Sequence, residues 1–214
     1  MHGTPTPTLM PLGDSALLVR FSDTLSDEAN RAAIALSRVL DADPPDGIAE
    51  IAPGLVSVLL RTVPGADLAR LRGEVMLRMG EVDGAVAPAN HTIEVSFDGE
   101  DLGEVSHMLN VTPDEFIASH NEIPVRVLAT GFAPGFVYCG FHDRHMVVPR
   151  REHVRPIVVA GTVLFAAGQT AIAATPIRTG WHVIGRTRFQ NFDAASDPPT
   201  ILQPGDVVQF AAVQ

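Results

Sequence analysis

Gly131-Phe132-Ala133-Pro134-Gly135-Phe136 opens the stretch that decides the fold. Four shorter islands follow it: Pro149-Arg150-Arg151, Gly168-Gln169-Thr170, Thr179-Gly180-Trp181 and Ile184-Gly185-Arg186-Thr187. Around them, short apolar runs at 157–166, 170–174, 182–185 and 206–213 are punctuated by glycine and proline. Irregular loops need that mix and helix interiors avoid it. Many short strands at this spacing predict a closed β-barrel whose site is built on loops. Upstream, Ile93, Val95 and Phe97 alternate as a strand, and so do Val125, Val127 and Ala129. Between these strands, Thr112-Pro113-Asp114-Glu115 reads as a helix start, with threonine as cap, proline as first helical residue and glutamate completing a capping box. That helix is expected to end near His120, ahead of Pro124.

The first part of the chain has a different rhythm. Residues 16–21, ALLVRF, read as a strand, and Ser26 is placed to cap a helix carrying Ala29, Ala33, Leu36 and Leu40 at helical spacing. Pro44-Pro45-Asp46-Gly47 ends it. Ile48 to Ile51 and Leu55 to Leu60 form a strand pair around Pro53-Gly54, and a second helix buries Leu68, Leu71, Val75 and Met79. The order β-α-β-β-α predicts a small α/β sandwich. Between Gly80 and Asn90 the pattern is lost, which places an interdomain linker there and a boundary near residue 86. The first eleven residues, MHGTPTPTLMP, are expected to be a frayed tail.

The chain has 214 residues and 46% hydrophobic content, enough for one large domain or two small ones with buried cores. No leader-like segment or membrane-spanning apolar run is apparent, so the expected location is the cytoplasm, with no membrane partner. A formal charge of -10 disfavours nucleic acid as a partner. The single cysteine, Cys139, rules out an internal disulfide and is read as a small buried apolar residue. All 15 basic side chains are arginines. Without lysine there is no Schiff-base chemistry and no P-loop lysine, so ATP would be held by arginines and backbone or by a partner chain.

Several side chains can carry chemistry, each beside a plainer reading. His120 either shuttles a proton or sits as a cation at a helix end. Arg150, Arg151 and Arg155 either clamp a carboxylate or acyl phosphate, or form a solvated turn with surface ion pairs to which Glu152 contributes. Phe132 and Phe136 are expected in the core, while backbone amides near Gly131 and Gly135 can face a ligand. Gln169 and Thr170 either hydrogen-bond a lactam or carboxylate, or are ordinary strand residues. Trp181 is either a ligand wall, an interface anchor or a packed core side chain. Arg186 and Asp206 either pair with each other or face the site, with Asp206 read first as part of a tight turn. His142 and His145 flank Asp143 on what reads as a solvent loop, too few ligands for a metal site.

Together with Ser119-His120 and Pro204-Gly205-Asp206, the islands resemble the allophanate hydrolase subunit 1 or KipI-like family, from Gly13-Asp14 to Phe210. The match has departures. Where the family reads close to GFPYLGG, this chain has Gly135-Phe136-Val137-Tyr138-Cys139-Gly140-Phe141. Ala171 and Ala173-Ala174 replace a glycine and a tyrosine, and Arg178-Thr179-Gly180-Trp181 replaces Pro-Gly-Gly-Trp. The resemblance implies an α+β fold, an N-terminal α/β domain over 1–85 followed by a cyclophilin-like β-barrel over 86–214. It also implies the role of a B-type subunit of 5-oxoprolinase: ATP-dependent opening of 5-oxoproline to glutamate, with a subunit 2 or C-type partner and an A component in a hetero-oligomer. His120, Arg150 and Arg151 would then be catalytic, and Gly131, Gly135, Arg155, Gln169, Thr170 and Arg186 would bind substrate. Two alternatives stay open: a carboxyltransferase subunit of a urea carboxylase working with a biotin carrier, and a non-enzymatic inhibitor of a sensor histidine kinase.

Overall fold

The computed structural model describes residues 7–79 and 87–213. The chain divides into two compact units, residues 1–87 and 88–214. Much of the expected linker, including the boundary near residue 86, lies outside the described residues.

In the first unit, β1 (Thr8–Pro11), β2 (Ala16–Arg20), β3 (Ile48–Pro53) and β4 (Ser57–Thr62) form an antiparallel sheet in the order β1-β2-β4-β3. Helices α1 (Asp27–Ala42) and α2 (Leu68–Met79) cover it. Alternation points Leu17, Val19, Val58 and Leu60 at Ala33, Leu36, Leu40, Leu71 and Val75, and all nine are buried in one cluster. Ser26 caps α1, its hydroxyl accepting from Ala29 N at 3.2 Å. The frayed tail needs correction, because Thr8–Pro11 pairs with Leu17–Arg20 at the sheet edge. An edge strand tolerates its proline because one row of its backbone groups needs no partner. Residues 1–6 lie outside the described residues.

The second unit is built on a curled sheet of seven strands: β5 (Asn90–Val95), β6 (Val125–Thr130), β7 (Val137–Gly140), β9 (Thr162–Ala166), β10 (Gln169–Ile172), β12 (His182–Arg186) and β13 (Val207–Ala212), in the order β12-β9-β10-β7-β6-β13-β5. Just past β5, Ser96 exchanges backbone hydrogen bonds with Arg186 of β12, at 2.8 and 2.9 Å, and joins the two sheet edges. β8 (Arg155–Val158) and β11 (Ile177–Thr179) form a separate two-stranded ribbon. The chain is thus α+β, with the expected sandwich followed by a barrel-like sheet. Between β5 and β6 lie α3 (Leu102–Met108), which the sequence reading missed, and α4 (Pro113–Asn121), which starts at the expected capping box. One face of the sheet packs Phe116, Phe165, Ile172 and Ile184 inside. The other packs Phe136, Ala171, Ala173 and Trp181. No helix among the described residues is long and apolar enough to cross a membrane.

Candidate functional site

A two-residue turn, Ala167-Gly168, joins β9 to β10 with both residues at positive φ (51° and 70°), which matches the twist of a tight hairpin. The turn fixes register, so Thr170 faces Phe165 on the inner face while Gln169 points to the other side. At the end of α4, His120 enters the same interior among Phe97, Phe116, Phe165 and Phe210, with ring centroids 5.1–6.1 Å away. His120 Nε2 lies 2.7 Å from Thr170 Oγ1, and its Nδ1 lies 2.7 Å from Asn121 Oδ1. His142 reaches the same hydroxyl through Nε2 at 2.8 Å and stacks on His120 at 4.7 Å. Burial drives the His120 imidazole down to about 4; burial and then the neighbouring His120 drive His142 down to about 3. Both rings are therefore neutral near pH 7.

His142 was expected on a solvent loop, and that is corrected here: it is 8% exposed, its backbone N donates to Gly168 O, and its ring is bonded to Thr170. His145 is the exposed one and pairs with Asp143 at 3.0 Å. A signal was present in the sequence, since His142 directly follows an apolar strand end, but only the tertiary fold sets it against Thr170. Among the described residues no group of three or more potential ligands is placed to hold a metal ion.

His120, expected to be catalytic, is fully buried, and its Nε2 bonds the Thr170 hydroxyl. Cys139 sits opposite Thr170 in the ladder, sealed in the core, and burial pushes its thiol up to about 12. It is a packing residue.

The expected arginine clamp separates into two kinds. Arg151 and Arg155 both bond Asp101, Arg155 at 2.8 and 3.0 Å, and Asp101 also accepts from Val183 N at 2.7 Å. Glu104 and Glu100 add outer contacts, and Glu152 makes none of these pairs. The sequence reading missed Asp101, which is 5% exposed and holds the first turn of α3 to β12 and the loop before β8. Arg150, in contrast, is exposed and has no carboxylate partner among the described residues. Its guanidinium carbon lies 5.7 Å above the Trp181 ring, and its charge bears on the Tyr138 phenol, which burial otherwise pushes up. Trp181 is 5% exposed and packs edge-on against Tyr138 at 5.9 Å.

Three further expectations change. Phe132 is not core but 73% exposed, held at a positive φ of 75°, while Phe136 is buried. Gly131 N is bonded to Phe136 O at 3.0 Å and is not free for a ligand. Gly135 is a packing glycine, since a Cβ there would lie 2.4 Å from the Phe192 Cβ. Arg186 pairs with Asp98 at the surface, not with Asp206. Asp206 instead accepts from Ala89 N and Gln203 N and approaches His91 Nε2 at 3.3 Å, the turn role expected of it. A groove of about 850 Å³ between the ends of β5 and β12 holds Arg186 and none of the other expected site residues. The chemistry concentrates at the Gly140–His142 and Gly168–Thr170 corner and at Arg150 over Trp181.

Comparison with known proteins agrees with this architecture. The chain is 29% identical to the B-type subunit of 5-oxoprolinase from Bacillus subtilis (strain 168), over 94% of this chain and 91% of that one. It is 30% identical to the corresponding 5-oxoprolinase chain of Haemophilus influenzae, over 94% and 96%. The solved structure of TTHA0988 superposes with a TM-score of 0.82 at 32% identity. That match covers 94% of this chain but spans only 40% of the longer TTHA0988 chain. The family model for the carboxyltransferase domain, subdomain C and D, matches residues 7–202, and the chain belongs to that family.

Proposed function

We propose that this chain is the B-type subunit of an ATP-dependent 5-oxoprolinase. It contributes part of a composite lactam-opening site, completed by a C-type subunit 2 chain and an A component. The carrying observation is Arg150, an exposed guanidinium with no carboxylate partner among the described residues, set over Trp181 beside Tyr138. A cation on an aromatic platform suits a small carboxylate, because the guanidinium presents paired donors and the ring fixes its plane. 5-Oxoproline carries one carboxylate and one lactam. Amide resonance protects the lactam, and phosphorylation of its oxygen by ATP supplies the leaving group before water attacks. With no lysine in the chain, ATP is assigned mainly to the partner. The 5-oxoprolinase relatives support the reading, and their being subunits supports a multi-chain assembly.

The test is conversion of 5-oxoproline to glutamate by this chain co-expressed with its C-type and A-type partners, against the same mixture lacking it. Glutamate formed only in the complete mixture is the expected result. An assembled complex that forms none would overturn the assignment. The second reading, carboxyltransfer with a biotin carrier, is favoured by the family model's own description and would then be tested by carboxylation of urea.

A further inference from the structure

Thr170 Oγ1 stands 2.7 Å from His120 Nε2 and 2.8 Å from His142 Nε2. A hydroxyl has a single proton to donate and two lone pairs, so at most one ring can take that proton and at least one must donate its Nε2–H. Asn121 decides which is which. Its Oδ1, 2.7 Å from His120 Nδ1, can only accept, so His120 carries its proton on Nδ1 and leaves Nε2 bare. The Thr170 hydroxyl donates to that bare nitrogen and accepts from His142 Nε2–H. His142 Nδ1 is left as a lone pair. It has no hydrogen-bond partner among the described residues and is not among the atoms sealed from solvent without one.

A second acceptor without a donor lies on the other face of the sheet. Gln169, next to Thr170 in the chain, is 7% exposed, and its Oε1 is buried with no donor. Its Cγ lies 3.4 Å from where a Cβ of Gly140 would be, and the His142 backbone N bonds Gly168 O. Gln169 faces away from Thr170, so this acceptor stands apart from the His142 lone pair. An N–H or O–H group that reaches His142 Nδ1 meets an unfilled lone pair.

We propose that this corner is a donor-selecting subsite. Asn121, His120 and Thr170 hold His142 as its Nε2–H tautomer, so that His142 Nδ1 accepts a hydrogen bond from a ligand amide or lactam N–H. The identity of the ligand rests on the 5-oxoprolinase reading, in which the lactam N–H binds here. His142 is the contact residue, while His120, Asn121 and Thr170 act through it as positioning residues.

The experiment is a long-range proton–nitrogen correlation spectrum of the full chain labelled with 15N-histidine at pH 7.5, assigned with His120→Gln and His142→Gln. His120 is expected to be protonated on Nδ1 and His142 on Nε2. In Thr170→Val the His142 resonances should move toward those of a ring exchanging between tautomers. 2-Pyrrolidinone, a lactam without a carboxylate, is then titrated in parallel with its N-methyl derivative. The N–H lactam should shift His142 Nδ1, and the N-methyl lactam should leave it in place. The reverse tautomer pair, the same tautomer on both rings, no shift with pyrrolidinone, or equal shifts with both lactams would each overturn the proposal. None of these readouts needs ATP or a partner chain, so a failed glutamate assay and a failed subsite are separately visible.

Discussion

Asp101→Ala is expected to cost far more stability than its position before a short helix suggests. The Asp101 carboxylate is 5% exposed and accepts from Arg151, from Arg155 twice, and from Val183 N. The two arginine side chains are themselves only 26% and 20% exposed. Removing the anion strands both guanidinium groups and a buried backbone donor together. Breaking a buried pair from one side costs about 3–5 kcal/mol, because the remaining charge stays desolvated. Glu104 and Glu100 still reach the arginines from the surface, which places the expected loss near the lower end, roughly 3 kcal/mol. At about 3 °C per kcal/mol for a chain of this size, the melting temperature should fall by on the order of 10 °C. Urea denaturation and calorimetry of the full chain measure it, with Arg61→Ala as the control, since the Arg61–Glu50 pair is exposed on both sides. An Asp101→Ala loss no larger than the control would refute a buried ionic tie at this point and reopen Arg151 and Arg155 as ligand groups.

Four other outcomes follow from the same geometry. Arg150→Ala should leave stability within about 0.5 kcal/mol of wild type while raising KM for 5-oxoproline in the assembled complex; a large drop in melting temperature would instead make Arg150 structural. The histidine pair gives a pH dependence of known sign. Both folded values lie below the ordinary 6.5, so the unfolded chain takes up protons first; stability is intact above pH 6.5 and falls as pH drops toward 4. One such histidine costs roughly 2 kcal/mol between pH 6.5 and 5, and His120→Asn should flatten that slope in urea titrations. An unchanged slope would count against the buried neutral ring. In Gly185→Ala, a Cβ would sit 2.4 Å from Ser96 O at the closing bridge, so a loss of about 1–3 kcal/mol is expected, read as faster amide exchange at Ser96 and Arg186. Thr112→Ala should lose about 1 kcal/mol through the α4 cap, with denaturation as the check.

What could be read from the chain itself was local. Ser26 and Thr112 announced α1 and α4, because a capping side chain bonds backbone within three residues and needs nothing distant. Period-2 and period-3.6 apolar patterns gave the sandwich and the strand-rich second unit, since each element must turn one face to a core. Arg150, Gln169 and Thr170 were visible as candidates from their loop setting. Thr8–Pro11 and α3 escaped, one because proline mimics a tail and the other because seven residues carry too little periodicity to declare a helix. The tertiary structure alone decided which of Arg150, Arg151 and Arg155 is left without a carboxylate partner, because Asp101 lies fifty residues from Arg151 and only the packing of α3 against β12 brings them together. It likewise chose His142 over His145, as a shared hydroxyl on a distant strand leaves no trace in either histidine's neighbours. Local chemistry is written in sequence; the pairing of charges and the sharing of a single proton are set by distances that only the folded chain defines.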